Sequence, residues 1–201
     1  MSLPDSGNPG NLQDALGLKS DAQFLLTEAT KQAIAQTGYH IHGEVGRGGF
    51  GVTFEVRHKD SGARAIAKVM LDPHSKEHRK AFDRECRVLA SEHVPSDLLP
   101  GYITSVTTDG VQPFVVMEFI DGTPIHNYVF KPHRLTLERR IEIVEKLFRA
   151  YQRLHDSNLI HGDPSPKNTL VQNGDRIRFI DFGSSCRLSQ GYGTLGTVSR
   201  K

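Results

Sequence analysis

The spacing Gly46-x-Gly48-x-x-Gly51 constrains this chain most, because of what stands on either side of it. Tyr39 to Val45 and Thr53 to Arg57 both read as strands, so the glycines fall at a hairpin tip. A dinucleotide-binding fingerprint of the same spacing follows a strand and opens a helix, and that context excludes it here. A third strand, Ala65 to Leu71, follows the Asp60-Ser61-Gly62 turn and completes a meander. His78 to Glu92 then has helical character, with Phe82, Cys86 and Leu89 on one face. Tyr102 to Thr108 and Pro113 to Ile120 form a hairpin about Asp109-Gly110. Five strands and one helix make this an α+β unit.

The second half changes character. Leu137, Ile141, Val144, Leu147, Phe148, Tyr151 and Leu154 recur at helical spacing behind Thr136, a suitable cap, and predict a long amphipathic helix anchoring a second lobe. Thr169 to Val171 and Ile177 to Ile180 predict a short hairpin around Asn173-Gly174. At the other end, residues 1–19 are rich in Ser, Pro, Gly, Asn and Asp and read as a disordered tail. A helix is expected over 20–37: Ser20 and Gln23 have capping-box spacing, and Phe24, Leu25, Ala29, Ala33 and Ile34 follow at helical period. The organisation expected is therefore a tail, that helix, an N-terminal lobe over 38–121 and a C-terminal lobe over 122–201.

Composition narrows the partners. Lys and Arg number 25 against 23 Asp and Glu, a formal net charge of +2, which gives no basis for nucleic acid or an anionic membrane as the main partner. Two cysteines, Cys86 and Cys186, lie far apart and suggest neither a disulfide framework nor a zinc site, so a reducing, cytoplasmic setting is expected. Phe114-Val115-Val116-Met117 is stopped by Glu118, far short of the ~20 apolar residues that cross a bilayer. At this length about 70% of the unfolded surface can be buried.

Several residues carry chemistry. Glycines at a hairpin tip let backbone close over phosphate groups, and Phe50 can cover the tip. Lys68 stands in an apolar strand, where a charge is costly unless it is paired or holds an anion. Glu85, on the inward face of the following helix, is its expected partner; Glu92, near the helix end, is a weaker one. The strongest signal is His161-Gly162-Asp163-Pro164-Ser165-Pro166-Lys167-Asn168, followed after the hairpin by Asp181-Phe182-Gly183. Asp and Asn five apart, then a second Asp, supply oxygen ligands suited to magnesium and a carboxylate able to accept a proton.

In order along the chain, the glycine-rich loop Gly46 to Gly51, Ala65-Ile66-Ala67-Lys68, Glu85, the Val116-Met117-Glu118-Phe119 hinge, Leu154-His155 and Asp181-Phe182-Gly183 resemble the protein kinase superfamily. The resemblance implies a two-lobed kinase-like fold and transfer of the γ-phosphoryl group of ATP to a protein hydroxyl with Mg2+. Lys68 would hold the α- and β-phosphates with Glu85 orienting it, and Asp163 would accept the hydroxyl proton. Asn168 and Asp181 would bind the metal. Gly46, Gly48, Gly49, Phe50, Gly51, Ile66, Met117, Glu118 and Phe119 would surround the nucleotide, with Met117 as gatekeeper.

The chain also departs from that pattern. Gly162 replaces the usual arginine, so activation is expected not to need phosphorylation of Ser184, Ser185, Ser189, Tyr192, Thr194, Thr197 or Ser199. Ser165 stands where a γ-phosphate-contacting lysine is usual, with Lys167 two positions on, and Ile66 replaces the alanine that roofs adenine. Gly196-Thr197 resembles the end of an activation loop, and only Val198 to Lys201 follow it. That brevity is expected either of a truncated kinase or of a minimal one, and it resembles the short kinases that bacteria inject into host cells, for which a host protein is a candidate substrate. A kinase-fold binding module and a small-molecule kinase are the alternatives.

Overall fold

The computed structural model describes residues 25–129 and 135–188. Within them lie α1 (Glu28–Gln36), β1 (Tyr39–Arg47), β2 (Gly51–His58), β3 (Arg64–Met70), α2 (Lys76–Leu89), β4 (Tyr102–Val106), β5 (Phe114–Glu118), β6 (Gly122–Pro124), α3 (Ile125–Val129), α4 (Leu137–Asp156), β7 (Leu159–Ile160), β8 (Thr169–Gln172), β9 (Arg176–Phe179) and β10 (Cys186–Arg187). The tail over 1–19, the Ser20 cap and Gly196-Thr197 lie outside the described residues.

The first five strands form one antiparallel sheet in the order β1-β2-β3-β5-β4. Alternation of side chains gives it two working faces. Val52, Phe54, Val56, Ala65, Ala67, Val69, Phe114 and Val116 point to one face and pack with Ile34 of α1. Thr53, Ile66, Lys68 and Met117 point to the other, where Val115 and Met117 join the core that continues through α2 into the second lobe.

Of the helix expected over 20–37, residues 20–24 lie outside the described residues, and α1 begins at Glu28. Thr27 is its cap, accepting a hydrogen bond from the Thr30 amide at 3.2 Å, and Leu25 to Thr27 are not helical. Thr27 wins because its hydroxyl serves the first turn while its amide donates to Gln112 Oε1 at 3.0 Å, tying α1 to the β4–β5 connection. A helix beginning earlier would lose that tether.

A larger difference concerns α4. Its buried residues are Ile143, Ala150 and Leu154, with Leu147 packed beside them. Leu137, Ile141, Val144 and Phe148, expected in the core, are 68%, 51%, 41% and 70% exposed. Two stripes with the same 4-3-4 spacing lie side by side, Ile143-Leu147-Ala150-Leu154 and Leu137-Ile141-Val144-Phe148. Periodicity identifies both and cannot choose between them.

The lobes are joined by polar contacts that a hydrophobic pattern does not reveal. The Phe179 amide donates to the Leu98 carbonyl at 2.7 Å. Buried Arg178 donates to the Leu99 carbonyl and to Glu118 Oε2, the latter at 2.7 Å. Arg153 of α4 grips Asp97 with two bonds of 2.8 and 2.7 Å. No helix of the described residues is long and apolar enough to cross a membrane.

Candidate active site

The cleft between the lobes is a cavity of about 650 Å3 lined by every residue that the resemblance above assigns to catalysis, nucleotide or metal. The β1–β2 hairpin supplies Gly46, Gly48, Gly49, Phe50 and Gly51. Only Gly51 is sterically obliged to be glycine, since a Cβ there would lie 2.8 Å from the Val69 carbonyl oxygen. The Gly48 amide donates to the Gly51 carbonyl at 2.9 Å, closing the tip, and Phe50 sits edge-on to His78 with ring centroids 5.7 Å apart.

Lys68 follows from register. It pairs with Thr53 on one side and Val115 on the other, so it belongs to the sheet face turned toward α2. Its ammonium donates to Glu85 Oε2 at 2.7 Å and to Asp181 Oδ1 at 2.8 Å. Burial works against the charge on Lys68, but the two carboxylates outweigh it and hold its pKa above the ordinary lysine value. Burial likewise raises the Glu85 carboxyl, opposed by the adjacent ammonium. For Asp181, burial is outweighed by Lys68 and by the Gly183 amide, and its pKa is lowered. Glu92, the weaker alternative, is exposed beyond the end of α2 and has no part in the cluster.

Asp181 reaches Lys68 through an unusual backbone. Its φ is 65°, in the left-handed region, where a non-glycine residue bears about 1–2 kcal/mol. Arg84 of α2 holds the Gly183 carbonyl at 2.6 Å, and the Ser185 amide donates to the Phe182 carbonyl at 3.0 Å. Phe182 is fully buried against His161, centroids 4.7 Å apart.

Across the cleft, Asn168 Nδ2 donates to Asp163 Oδ2 at 2.9 Å and to the Asp163 carbonyl at 3.2 Å. His161 braces this loop from behind. Its Nε2 lies 3.1 Å from the Ile180 carbonyl, and its Nδ1 accepts from the Asp163 amide at 3.3 Å, which assigns the Nε2–H tautomer. Burial lowers the pKa of His161 and favours that neutral ring. The donor set suits a hard cation: Asn168 uses its nitrogen on Asp163 and leaves its oxygen available, while Asp181 keeps a second oxygen beyond the one on Lys68. Among the described residues no cluster of three or more His, Cys, Asp and Glu could hold a metal by itself.

Gly162 acquires a reason that sequence alone did not supply. Its φ is 81°, and a Cβ would lie 1.9 Å from the Ser184 carbonyl oxygen. The backbone after Asp181-Phe182-Gly183 occupies the space of a side chain at 162. β10 pairs with β7, and the Leu188 amide donates to the Asn158 carbonyl at 3.2 Å, continuing the attachment. Ser185, counted among the available phosphate acceptors, is fully buried and is corrected to a packed residue. Lining residues not anticipated are chiefly apolar, including Leu170 and Ile180; sequence marks them only as strand residues flanking the polar loops.

A glycine-tipped sheet hairpin, a lysine between two carboxylates, and an Asp-Asn pair facing them across a cleft are the arrangement of a protein kinase domain. Residues 39–199 match the protein kinase domain family, and the chain belongs to that family. It is 30% identical over 155 residues to a probable serine/threonine-protein kinase PknB of Lactococcus lactis subsp. lactis (strain IL1403), covering 76% of this chain and 24% of that protein. It is 26% identical over 149 residues to the serine/threonine-protein kinase PknA of Mycobacterium tuberculosis (strain ATCC 25177 / H37Ra), covering 72% and 35%. With the serine/threonine-protein kinase PknH of Mycobacterium bovis (strain ATCC BAA-935 / AF2122/97) it shares 28% identity over 163 residues, covering 80% and 27%. The chain thus spans between 24% and 35% of the length of these relatives.

Proposed function

We propose that the chain is an ATP- and Mg2+-dependent protein kinase that phosphorylates serine or threonine. The observation that carries this reading is Lys68 held 2.7 Å from Glu85 and 2.8 Å from Asp181, in one cleft with Asp163 and Asn168. Lys68 is oriented by Glu85 so that its ammonium meets phosphate oxygens of the nucleotide. Asp163, fixed by Asn168, accepts the proton of the attacking hydroxyl, a role worth about 10²–10⁴ in rate. Bound by Asn168 and Asp181, Mg2+ would neutralise phosphate charge. Lys167 lines the cleft beside Asp163, has no ion-pair partner among the described residues, and supplies cationic charge where Ser165 has none. Ile66 narrows the roof yet leaves about 650 Å3, enough for a small-molecule ligand. Positioning and charge neutralisation account for the catalysis, because phosphoryl transfer asks little covalent chemistry of the protein.

The test supplies γ-labelled ATP and Mg2+ to wild type and Asp163→Ala with a panel of protein and small-molecule acceptors, followed by phosphoamino-acid analysis. Label on serine or threonine from wild type only is the expected result. Label confined to metabolites selects a small-molecule kinase, and nucleotide binding without turnover on any acceptor selects a binding module.

A further inference from the structure

We infer that Arg64, outside the cleft, is a positioning residue for the nucleotide base: it fixes the Phe119 ring that lines the hinge. This rests on the nucleotide-binding reading above. The guanidinium carbon of Arg64 stands 3.6 Å from the centroid of the Phe119 ring, within cation–π range. Phe119 lines the cavity; Arg64 does not, so any effect of Arg64 on a ligand passes through the ring. With one face covered by the cation, the ring offers the cavity its edge or its other face.

The guanidinium is itself held. In the β2–β3 register Arg57 stands directly opposite Arg64, a like-charged pair that is unfavourable without compensation. Glu55, on the same face of β2 and only 7% exposed, accepts from both. The two contacts differ in kind. Arg64 makes a two-point grip, Nε to Oε1 at 3.1 Å and Nη2 to Oε2 at 3.0 Å, which sets the plane of the guanidinium. Arg57 reaches Oε1 alone, with both nitrogens at 3.3 Å. Hydrogen bonding to Arg64 holds the Glu55 carboxyl below its ordinary pKa, and the same bond, aided by the charge of Asp121, raises Arg64.

Charge neutralisation of the strand pair would explain Glu55 without assigning Arg64 any task. It would not place the planar cation on a hinge aromatic, and the two arginines separate the readings. Both are about half exposed and both pair with Glu55, and among the described residues Arg64, not Arg57, stacks on an aromatic ring. Preorganising a ring that a ligand must contact removes the cost of ordering it on binding. The loss should therefore appear in affinity, at the base end of the nucleotide, and not in the phosphoryl-transfer step.

The experiment measures ATP KM and kcat, and calorimetric affinity for ATP and for adenosine, in wild type, Arg64→Ala, Arg64→Lys, Arg57→Ala and Lys68→Met. Arg64→Ala should raise KM and weaken ATP and adenosine alike by about three- to tenfold, with kcat within about twofold. Arg64→Lys should fall between it and wild type, and Arg57→Ala should match wild type. In a Phe119→Leu background, Arg64→Ala should have no further effect. Lys68→Met should weaken ATP and spare adenosine, which separates the two ends of the site. The inference is overturned if Arg64→Ala leaves affinity unchanged, if Arg57→Ala weakens it equally, or if kcat falls in step. Failure of the wild type to bind ATP or adenosine would instead remove the nucleotide reading, and this inference with it.

Discussion

Replacing Gly162 by alanine adds a methyl group at the point where the catalytic loop and the segment after Gly183 touch. At φ 81° any L side chain bears about 1–2 kcal/mol of backbone strain. The added Cβ would also begin 1.9 Å from the Ser184 carbonyl oxygen, whereas an ordinary carbon–oxygen contact is about 3.3 Å. One of the two segments must therefore move by more than about 1 Å. Ser184 is not free to yield, because Arg84 holds Gly183, Ser185 is buried, and β10 is paired with β7. Overpacking of this kind costs a further ~1–3 kcal/mol. The expected total is about 2–5 kcal/mol, appearing as lost stability in urea unfolding or as displaced Asp181 and at least tenfold slower transfer. Gly43→Ala is the control, since a Cβ there meets nothing within 4 Å. A Gly162→Ala protein within about 0.5 kcal/mol of wild type and fully active would refute the reasoning. Gly162→Arg, the residue usual in kinases, should fail for the same reason.

Three other substitutions test separate links. Lys68→Met should abolish transfer, and retention of more than a few per cent of activity would sink its assignment. Phe148→Ser should change stability by less than about 0.5 kcal/mol, because the ring is 70% exposed, while Ile143→Ala on the buried stripe of the same helix should cost about 2–5 kcal/mol; equal effects in unfolding titrations would contradict the orientation of α4. Hydrogen bonding to Arg153 lowers the pKa of Asp97 below its ordinary 3.8, so its contribution is present above that value and lost as pH falls through the depressed folded value. Asp97→Asn should therefore cost about 0.5–1 kcal/mol at neutral pH, modest because the pair is half exposed, with the difference from wild type closing in acid; a constant difference would refute the linkage.

The N-terminal sheet was legible in the sequence because each strand announces itself locally, by glycine and Asp-Gly turns and by short apolar runs. The cleft was legible because the motifs carrying Lys68, Glu85, Asp163, Asn168 and Asp181 resemble those of the protein kinases, and the fold brings the five into one cavity. What escaped depends on contacts between distant segments. Thr27 caps α1 while its amide donates to Gln112, a contact between segments 85 residues apart. Which stripe of α4 is covered depends on where β7 and β9 run, and nothing in the helix itself records that. Gly162 read as the loss of an arginine, when its place is set by the Ser184 backbone, 22 residues away. Arg178, bridging Glu118 and the Leu99 carbonyl, looks in sequence like any exposed strand arginine.

Separating binding from chemistry tests the central claim most directly. In wild type and Asp163→Ala, MgATP affinity is measured by calorimetry and single-turnover transfer to a protein acceptor by labelled ATP. If Lys68, Glu85 and Asp181 place the nucleotide while Asp163 accepts the proton, Asp163→Ala binds MgATP within about threefold of wild type and transfers about 10²–10⁴ times more slowly. Unchanged transfer would take Asp163 out of the chemistry, and loss of nucleotide binding together with transfer would show that the cleft does not divide its work in this way.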